Sequence, residues 1–113
     1  MAHYNRNNRS IDFQNPGQHQ LAIQAYYEVT QLLPSYANAY KNRGASYKGL
    51  GQLELAVNDY SEVLLLDLEN ALAFGNRAQA HALLGQRQYA HKNLNVAVGL
   101  GFDSPSLKKK LRN

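Results

Sequence analysis

The 113-residue sequence contains no cysteine and only three prolines. Without cysteine, disulfide frameworks, thiolate zinc sites and thiol nucleophiles are excluded. No stretch approaches the roughly 18 apolar residues that a membrane-spanning helix needs. The polar, asparagine-rich residues 1–15 lack the apolar core and cleavage site of a secretory signal. We therefore expect no membrane insertion and a cytoplasmic location.

Outside the C-terminus the sequence has no excess of either charge. It carries twelve lysines and arginines against eight acidic residues, a formal net charge of +4. Four of the basic residues are Lys108, Lys109, Lys110 and Arg112, so the rest of the chain has eight of each sign. Because the rest of the chain is neutral, nucleic acid is disfavoured as a partner. In the alternative that the protein does bind nucleic acid, the basic C-terminal tail is the segment expected to bind it.

Residue patterns for catalysis and metal binding are also missing. His81 and His91 fall on different predicted helices, and no HExxH motif is present. We interpret His81 as a packing residue and expect His3 and His19 to be solvated. No serine, histidine and acid set resembles a triad, and no glycine-rich loop has phosphate-binding spacing. These absences predict a protein that is not an enzyme and needs no cofactor.

What the sequence does contain is an internal repeat of 34 residues. The dipeptide Gly-Gln recurs at that spacing, and an alanine follows five residues after each of its glycines. Residues 37–70 and 71–104 share nine identities on this alignment. The recurring positions are Gly17, Gly51 and Gly85, Ala22, Ala56 and Ala90, and the pairs Asn42/Asn76 and Arg43/Arg77. A fixed period of this length is typical of a helical repeat array.

Each unit is predicted to form two helices. In the second unit Tyr40, Gly44 and Tyr47 share one face of a helix near 37–50, and Gly51 ends it. A second helix follows near 53–67, and the first unit has its counterpart over 21–33. Small residues at Gly44, Ala56, Ala78 and Ala90 are expected where helix backbones approach closely. The inner stripes are predicted as Ala56, Tyr60, Val63 and Leu64, then Phe74, Ala78, His81, Ala90, Leu94, Ala97 and Val98.

This pattern resembles the tetratricopeptide-repeat (TPR) family, whose units place aromatic residues fourth and eleventh and small residues eighth and twentieth. The third unit departs from it at His81 and Leu94. The resemblance implies an all-α, right-handed helical solenoid of about two and a half repeats that binds proteins or peptides. We divide the chain into a poorly helical segment 1–16, a TPR domain 17–104 and a basic capping helix 105–113. The TPR domain comprises a partial repeat 17–36 and full repeats 37–70 and 71–104.

The first helices of the units line the concave side of a TPR array, so their exposed faces are the candidate binding site. Asn42 and Asn76 lie in register there, and each amide offers a donor and an acceptor to an extended peptide. Lys41 and Lys48 favour an acidic or C-terminal carboxylate group. The alternative is a solvated face or an internal hydrogen bond. The predicted site residues are Asn38, Lys41, Asn42, Ala45 and Lys48, then Leu72, Asn76, Gln79 and Leu83, with Gly75 beside them.

Three further interpretations complete the prediction. Chaperone-binding TPR domains hold an acidic C-terminus in a lysine, arginine and asparagine clamp, but Leu72 and Asn76 stand where it needs lysine and arginine. Such a ligand is therefore disfavoured. Arg43 and Arg77 are interpreted as packing side chains with paired head groups. Self-assembly into a homodimer is the main alternative function, because the first unit has a weak first helix and an apolar second one.

Overall fold

The computed structural model describes residues 16–102, 109 and 111. Within these residues all regular structure is α-helical, which confirms the predicted all-α class. Each helix packs against the next one along the chain, as in a solenoid of helical hairpins. The elements are α1 (Pro16–Leu32), α2 (Ala37–Gly49), α3 (Leu53–Leu66), α4 (Ala71–Leu83) and α5 (Arg87–Gly99). None of these described helices is both long and apolar enough to cross a membrane.

Glycines close the first helix of each full unit, as predicted. Gly51 and Gly85 have φ angles of 78° and 79°, in the left-handed region that favours glycine. The amide of Gln52 donates to the carbonyl of Tyr47 at 2.9 Å, and that of Gly51 donates to Lys48 at 2.9 Å. These two bonds satisfy carbonyls that the end of α2 would leave open. The turn sets α3 back against α2.

The first unit departs from the predicted helix boundaries. Its described helix, α1, begins at Pro16 rather than at residue 21, so Gly17 lies inside the helix. Proline suits the first helical position, since its φ is already helical and no donor is lost there. The predicted partial repeat therefore begins within a helix, and Pro16 belongs to it rather than to the polar segment. Residues 1–15 of that segment lie outside the described residues.

Small residues lie where the helices meet. Ala56, Ala78 and Ala90 are fully buried, and a Cβ atom on Gly44 would lie 2.9 Å from the Tyr60 ring. Tyr60 and Val63 are the largest fully buried side chains among the described residues. The positions that the repeat marked as small are therefore the ones that allow close packing.

The burial predictions for Val98 and His19 are wrong. Val98 is 38% exposed, whereas its counterpart Leu64 is 4% exposed because it packs against Ala73 of the following unit. His19 is buried rather than solvated. Its ring occupies space beside Gly49, where a Cβ atom would lie 2.5 Å from His19 Nε2. Because Gly49 has no side chain, the His19 ring fits against the end of α2.

Of the predicted capping helix 105–113, the structure describes only Lys109 and Leu111, both helical. Leu111 is buried in a cluster with Ala78, Ala90 and Leu94. Its carbonyl accepts a hydrogen bond from Arg87 Nη2 at 3.0 Å. A leucine from the C-terminal segment thus covers apolar surface of the last unit.

Candidate functional site

The predicted site residues lie on α2 and α4, the first helices of the two full units. At 100° per residue, the four predicted residues of α4 fall within one narrow stripe of that helix. Leu72, Gln79 and Leu83 are exposed, and Asn76 is half-buried. On α2, Asn38 is exposed, while Lys41, Asn42, Ala45 and Lys48 are half-buried. We call these nine residues the α2–α4 face.

One hydrogen bond joins the two helices across this face. Lys48 Nζ donates to Gln79 Oε1 at 2.6 Å, over a separation of 31 residues. Partial burial lowers the pKa of Lys48, because desolvation disfavours the ammonium form. Its partner is a neutral amide, and no carboxylate pairs with it among the described residues. The face therefore holds a partly desolvated cation whose charge is not neutralised.

The two asparagines in register make no side-chain hydrogen bond within the described part of the chain. Both are half-buried, one on each helix. An amide in that state retains its donors and its acceptor for a ligand. Leu72 and Leu83 contribute apolar surface beside Asn76, since each is about half exposed. The α2–α4 face thus combines unused amides, a cation and apolar contacts.

Gly75 does not belong to this open surface, contrary to prediction. It is buried beneath Phe102, and a Cβ atom there would lie 2.5 Å from that ring. The turn at Gly101, whose φ is positive, brings Phe102 back over α4. The contact joins residues 27 apart, so helical periodicity alone does not reveal it.

The recurring arginines pack inward, as predicted, but their partners differ. Arg43 binds Asp59 with both ends of its guanidinium, Nε to Oδ2 at 2.9 Å and Nη2 to Oδ1 at 2.7 Å. Arg77 donates Nε to Asn93 Oδ1 at 2.8 Å and Nη1 to Ser61 Oγ at 3.1 Å. The first arginine has an ionic partner and the second has only neutral ones.

Arg77 lines a groove that the repeat pattern does not predict. It lies between α3 and α5 above α4 and has a volume of about 400 Å³. We call it the α3–α5 groove; its lining residues are Val57, Ser61, Phe74, Arg77, His81, Tyr89, Lys92, Asn93 and Val96. On α4, Phe74, Arg77 and His81 lie about 180° from the stripe of the α2–α4 face. In the sequence, Arg43 precedes Asp59 by 16 residues and Arg77 precedes Asn93 by the same number. This equal spacing was the signal from which these two contacts could have been predicted.

His81 is a surface packing residue rather than a core one. Its ring lies 5.3 Å from that of Tyr89, and its Nδ1 is 2.7 Å from Gln86 Oε1. It is half-buried. No group of three or more metal-ligating side chains occurs among the described residues.

Known proteins match this chain by structure rather than by sequence. No protein-family model matches it, and no curated protein matches its sequence. The second TPR domain of human RPAP3, solved with an HSP70 peptide, has a TM-score of 0.79 at 23% identity, covering 96% of this chain and 91% of that one. The second TPR of Spaghetti (RPAP3), bound to an HSP90 peptide, has a TM-score of 0.73 at 25% identity, covering 86% and 90%.

A bacterial structure shows the same likeness. The Yersinia enterocolitica type III secretion chaperone SycD, in complex with a peptide of the translocator YopD, has a TM-score of 0.79 at 17% identity and covers 98% of this chain and 90% of that one. Each of the three matches covers at least 86% of both chains. Together with the 34-residue repeat of its own sequence, they show that this chain has the tetratricopeptide-repeat fold.

Proposed function

We propose that this chain is a non-enzymatic interaction module that binds an extended peptide of a partner protein across the α2–α4 face. The observation that carries the proposal is Lys48, a partly buried ammonium with a lowered pKa, a neutral partner and no ion pair among the described residues. A carboxylate of the peptide would neutralise it. Lys41, about two turns earlier on α2, adds a second positive charge to the same face.

The amides supply the second part of the binding mode. Asn42 and Asn76 stand one unit apart with their hydrogen-bonding groups unused, so a peptide that crosses α2 and α4 can bond both through its backbone. Leu72 and Leu83 would cover an apolar side chain of the peptide. The RPAP3 and SycD structures were each solved with a peptide, which supports peptide binding by this fold.

The ligand is not proposed to be a chaperone C-terminus. Asn42 stands at the asparagine position of the clamp, but Leu72 and Asn76 replace its lysine and arginine. A groove of about two and a half units also buries little area, and an extended peptide loses entropy on ordering. We therefore expect an affinity in roughly the micromolar range or weaker.

The test is a peptide array screened with and without free C-terminal carboxylates, followed by fluorescence anisotropy on the best binder. Asn42→Ala with Asn76→Ala should weaken binding by about 1 to 3 kcal/mol, because two hydrogen bonds are lost, and should leave helicity intact. Lys48→Gln should reduce the preference for the free carboxylate, and Lys41→Gln with Lys48→Gln should remove it. Lys109→Gln, at an exposed position of the C-terminal segment, is the matched control with unchanged affinity. Full affinity in the asparagine double variant would exclude this face.

A further inference from the structure

The α3–α5 groove is cationic, and none of its lining residues is acidic. Arg77 projects from α4, Lys92 from α5, and His81 lies at the edge of the same groove. Val57, Phe74 and Val96 form apolar parts of its wall. Within residues 16–102, 109 and 111, neither Arg77 nor Lys92 forms an ion pair. The groove thus has two cations without counter-charges beside an apolar wall.

The third unit lacks a carboxylate that the second unit has at the equivalent position. Residue 59 of the second unit is an aspartate whose carboxylate binds Arg43 in a bidentate pair. The residue 34 places later, Asn93, is neutral. Asn93 cannot take the place of the carboxylate, because its Oδ1 accepts one bond from Arg77 while its Nδ2 donates to the Tyr89 carbonyl at 2.7 Å.

The pKa values of the two arginines reflect this difference. The hydrogen-bonded carboxylate of Asp59 raises the pKa of Arg43, whereas burial lowers the pKa of Arg77. Arg77 is also held in place, since its Nε and Nη1 are bonded and its guanidinium lies 5.5 Å from the centre of the Phe74 ring. Its Nη2 has no hydrogen-bond partner among the described residues. A fixed guanidinium with an unused donor is suited to bind an oxygen anion.

We propose that the α3–α5 groove binds a carboxylate side chain from an acidic segment of a partner protein, with Arg77 as the main ligand and Lys92 as the second cation. A carboxylate is favoured over a phosphate because the same position of the preceding unit holds one on Arg43. The methylene groups of a glutamate would pack on Val57 and Val96. This site lies on the opposite side of α4 from the α2–α4 face and is independent of the peptide site proposed there.

The experiment is an NMR titration of the full chain with acetyl-Glu-Glu-Glu-amide. The expected result is a saturable shift of the Arg77 side-chain Nε–H and of the amides of α5, reaching saturation below about 10 mM. Acetyl-Gln-Gln-Gln-amide, which lacks the charge, should give no such shift. Asn93→Asp supplies the carboxylate internally and should abolish the shift, provided that its helical circular dichroism is unchanged.

Two further variants separate this site from the α2–α4 face. Lys92→Gln, at an exposed position, should weaken the titration severalfold without a change in fold, and so tests the site even if Asn93→Asp misfolds. Lys41→Gln with Lys48→Gln should leave the Arg77 shift unchanged. The proposal is overturned if the glutamine peptide gives the same shift, if Lys92→Gln has no effect, or if only α2–α4 face signals move. Inorganic phosphate binding where the glutamate peptide does not would overturn the carboxylate assignment.

Discussion

Position 23 of each full unit shows how a single atom changes the role of a recurring arginine pair. Asp59 and Asn93 have nearly the same shape, yet the first completes a partly buried ion pair and the second leaves Arg77 with neutral partners. The charge on Arg77 is partly desolvated and not neutralised, so we expect a carboxylate at this position to stabilise the third unit. We infer that a carboxylate in place of Asn93 would make the fold more stable.

Asn93→Asp is therefore expected to stabilise the fold by about 1 kcal/mol, since the new carboxylate can adopt the bidentate geometry of Asp59 on Arg43. Asp59→Asn should act in the opposite direction and cost about 1 to 3 kcal/mol, because Arg43 would lose its ionic partner. Urea unfolding followed by circular dichroism measures both. A destabilised Asn93→Asp protein would show that desolvation of the carboxylate outweighs its attraction to Arg77.

Tyr60 is the second residue that has a polar group in an unfavourable environment. Its side chain is fully buried, and its hydroxyl has no hydrogen-bond partner among the described residues. Desolvation, with a smaller contribution from the charge of Asp59, raises the pKa of Tyr60 to about 12. The ring itself packs against Gly44. The hydroxyl group thus costs stability while the ring provides it.

Tyr60→Phe should raise the free energy of unfolding by about 1 kcal/mol at neutral pH, because an unbonded buried hydroxyl is removed. Since the pKa of Tyr60 is raised on folding, wild-type stability is retained below about pH 10 and declines as the pH rises toward about 12. The difference between the two proteins should therefore widen by about 2 to 3 kcal/mol over that range. Urea midpoints at pH 7 and across alkaline pH measure it. Parallel declines in both proteins would contradict this role.

At the scale of the elements, glycine has a different function in α2 and in α5. A Cβ atom on Gly44 would lie 2.9 Å from Tyr60 Cε1 and 3.2 Å from Asp59 Cβ, both on buried side chains. Gly99, the last residue of α5, has no atom within 4 Å of such a Cβ. The first glycine permits two helices to approach, and the second makes no packing contact that needs its small size.

Gly44→Ala should destabilise the protein by about 1 to 3 kcal/mol, because the overpacking of α2 against α3 exceeds the gain in helix propensity. Gly99→Ala is the matched control and should stabilise by about 0.5 to 1 kcal/mol, since it restricts the unfolded chain without a clash. Thermal melts of both variants test the pair. Equal shifts would mean that the α2–α3 contact adjusts freely.

Much of this element structure follows from the repeat itself. Gly51 and Gly85 predict the turns because a left-handed residue is required there, and the buried alanines follow from their spacing. Helix boundaries in the first unit are less predictable, since Pro16 reads as a helix breaker although it begins α1. The predicted exposure of His19 was wrong because its cover comes from α2 and depends on the missing side chain of Gly49.

The candidate site is predictable in part for a similar reason. Helical periodicity places Asn42 and Asn76 in equivalent positions of α2 and α4, but it does not give the distance between neighbouring units. The Lys48–Gln79 bond crosses units at an offset of 31 residues rather than 34, so alignment of the repeats does not reveal it. The cover of Phe102 over Gly75 arises from a turn at the end of the array, where the repeat pattern stops.

At the scale of the whole molecule, large apolar side chains remain exposed on the first unit. Leu21 and Leu32 are 74% and 80% exposed, and 11 residues of helix place them on the same side of α1. Tyr27 and Leu33 are also exposed. Exposed leucines along one side of α1, on a short repeat array, are a favourable place for a second copy to pack.

We therefore expect the protein to self-associate through α1 at micromolar concentration, giving a mass above the 12.7 kDa of one chain in light scattering. Leu21→Glu with Leu32→Glu should shift it toward the monomer with unchanged helicity, because two charges would have to be buried in the contact. Leu65→Glu, equally exposed but on α3, is the control and should leave the mass unaltered. A wild-type protein that is monomeric at all tested concentrations would contradict the prediction. If only the Leu65→Glu variant lost association, the contact would lie on α3 of the second unit and not on α1.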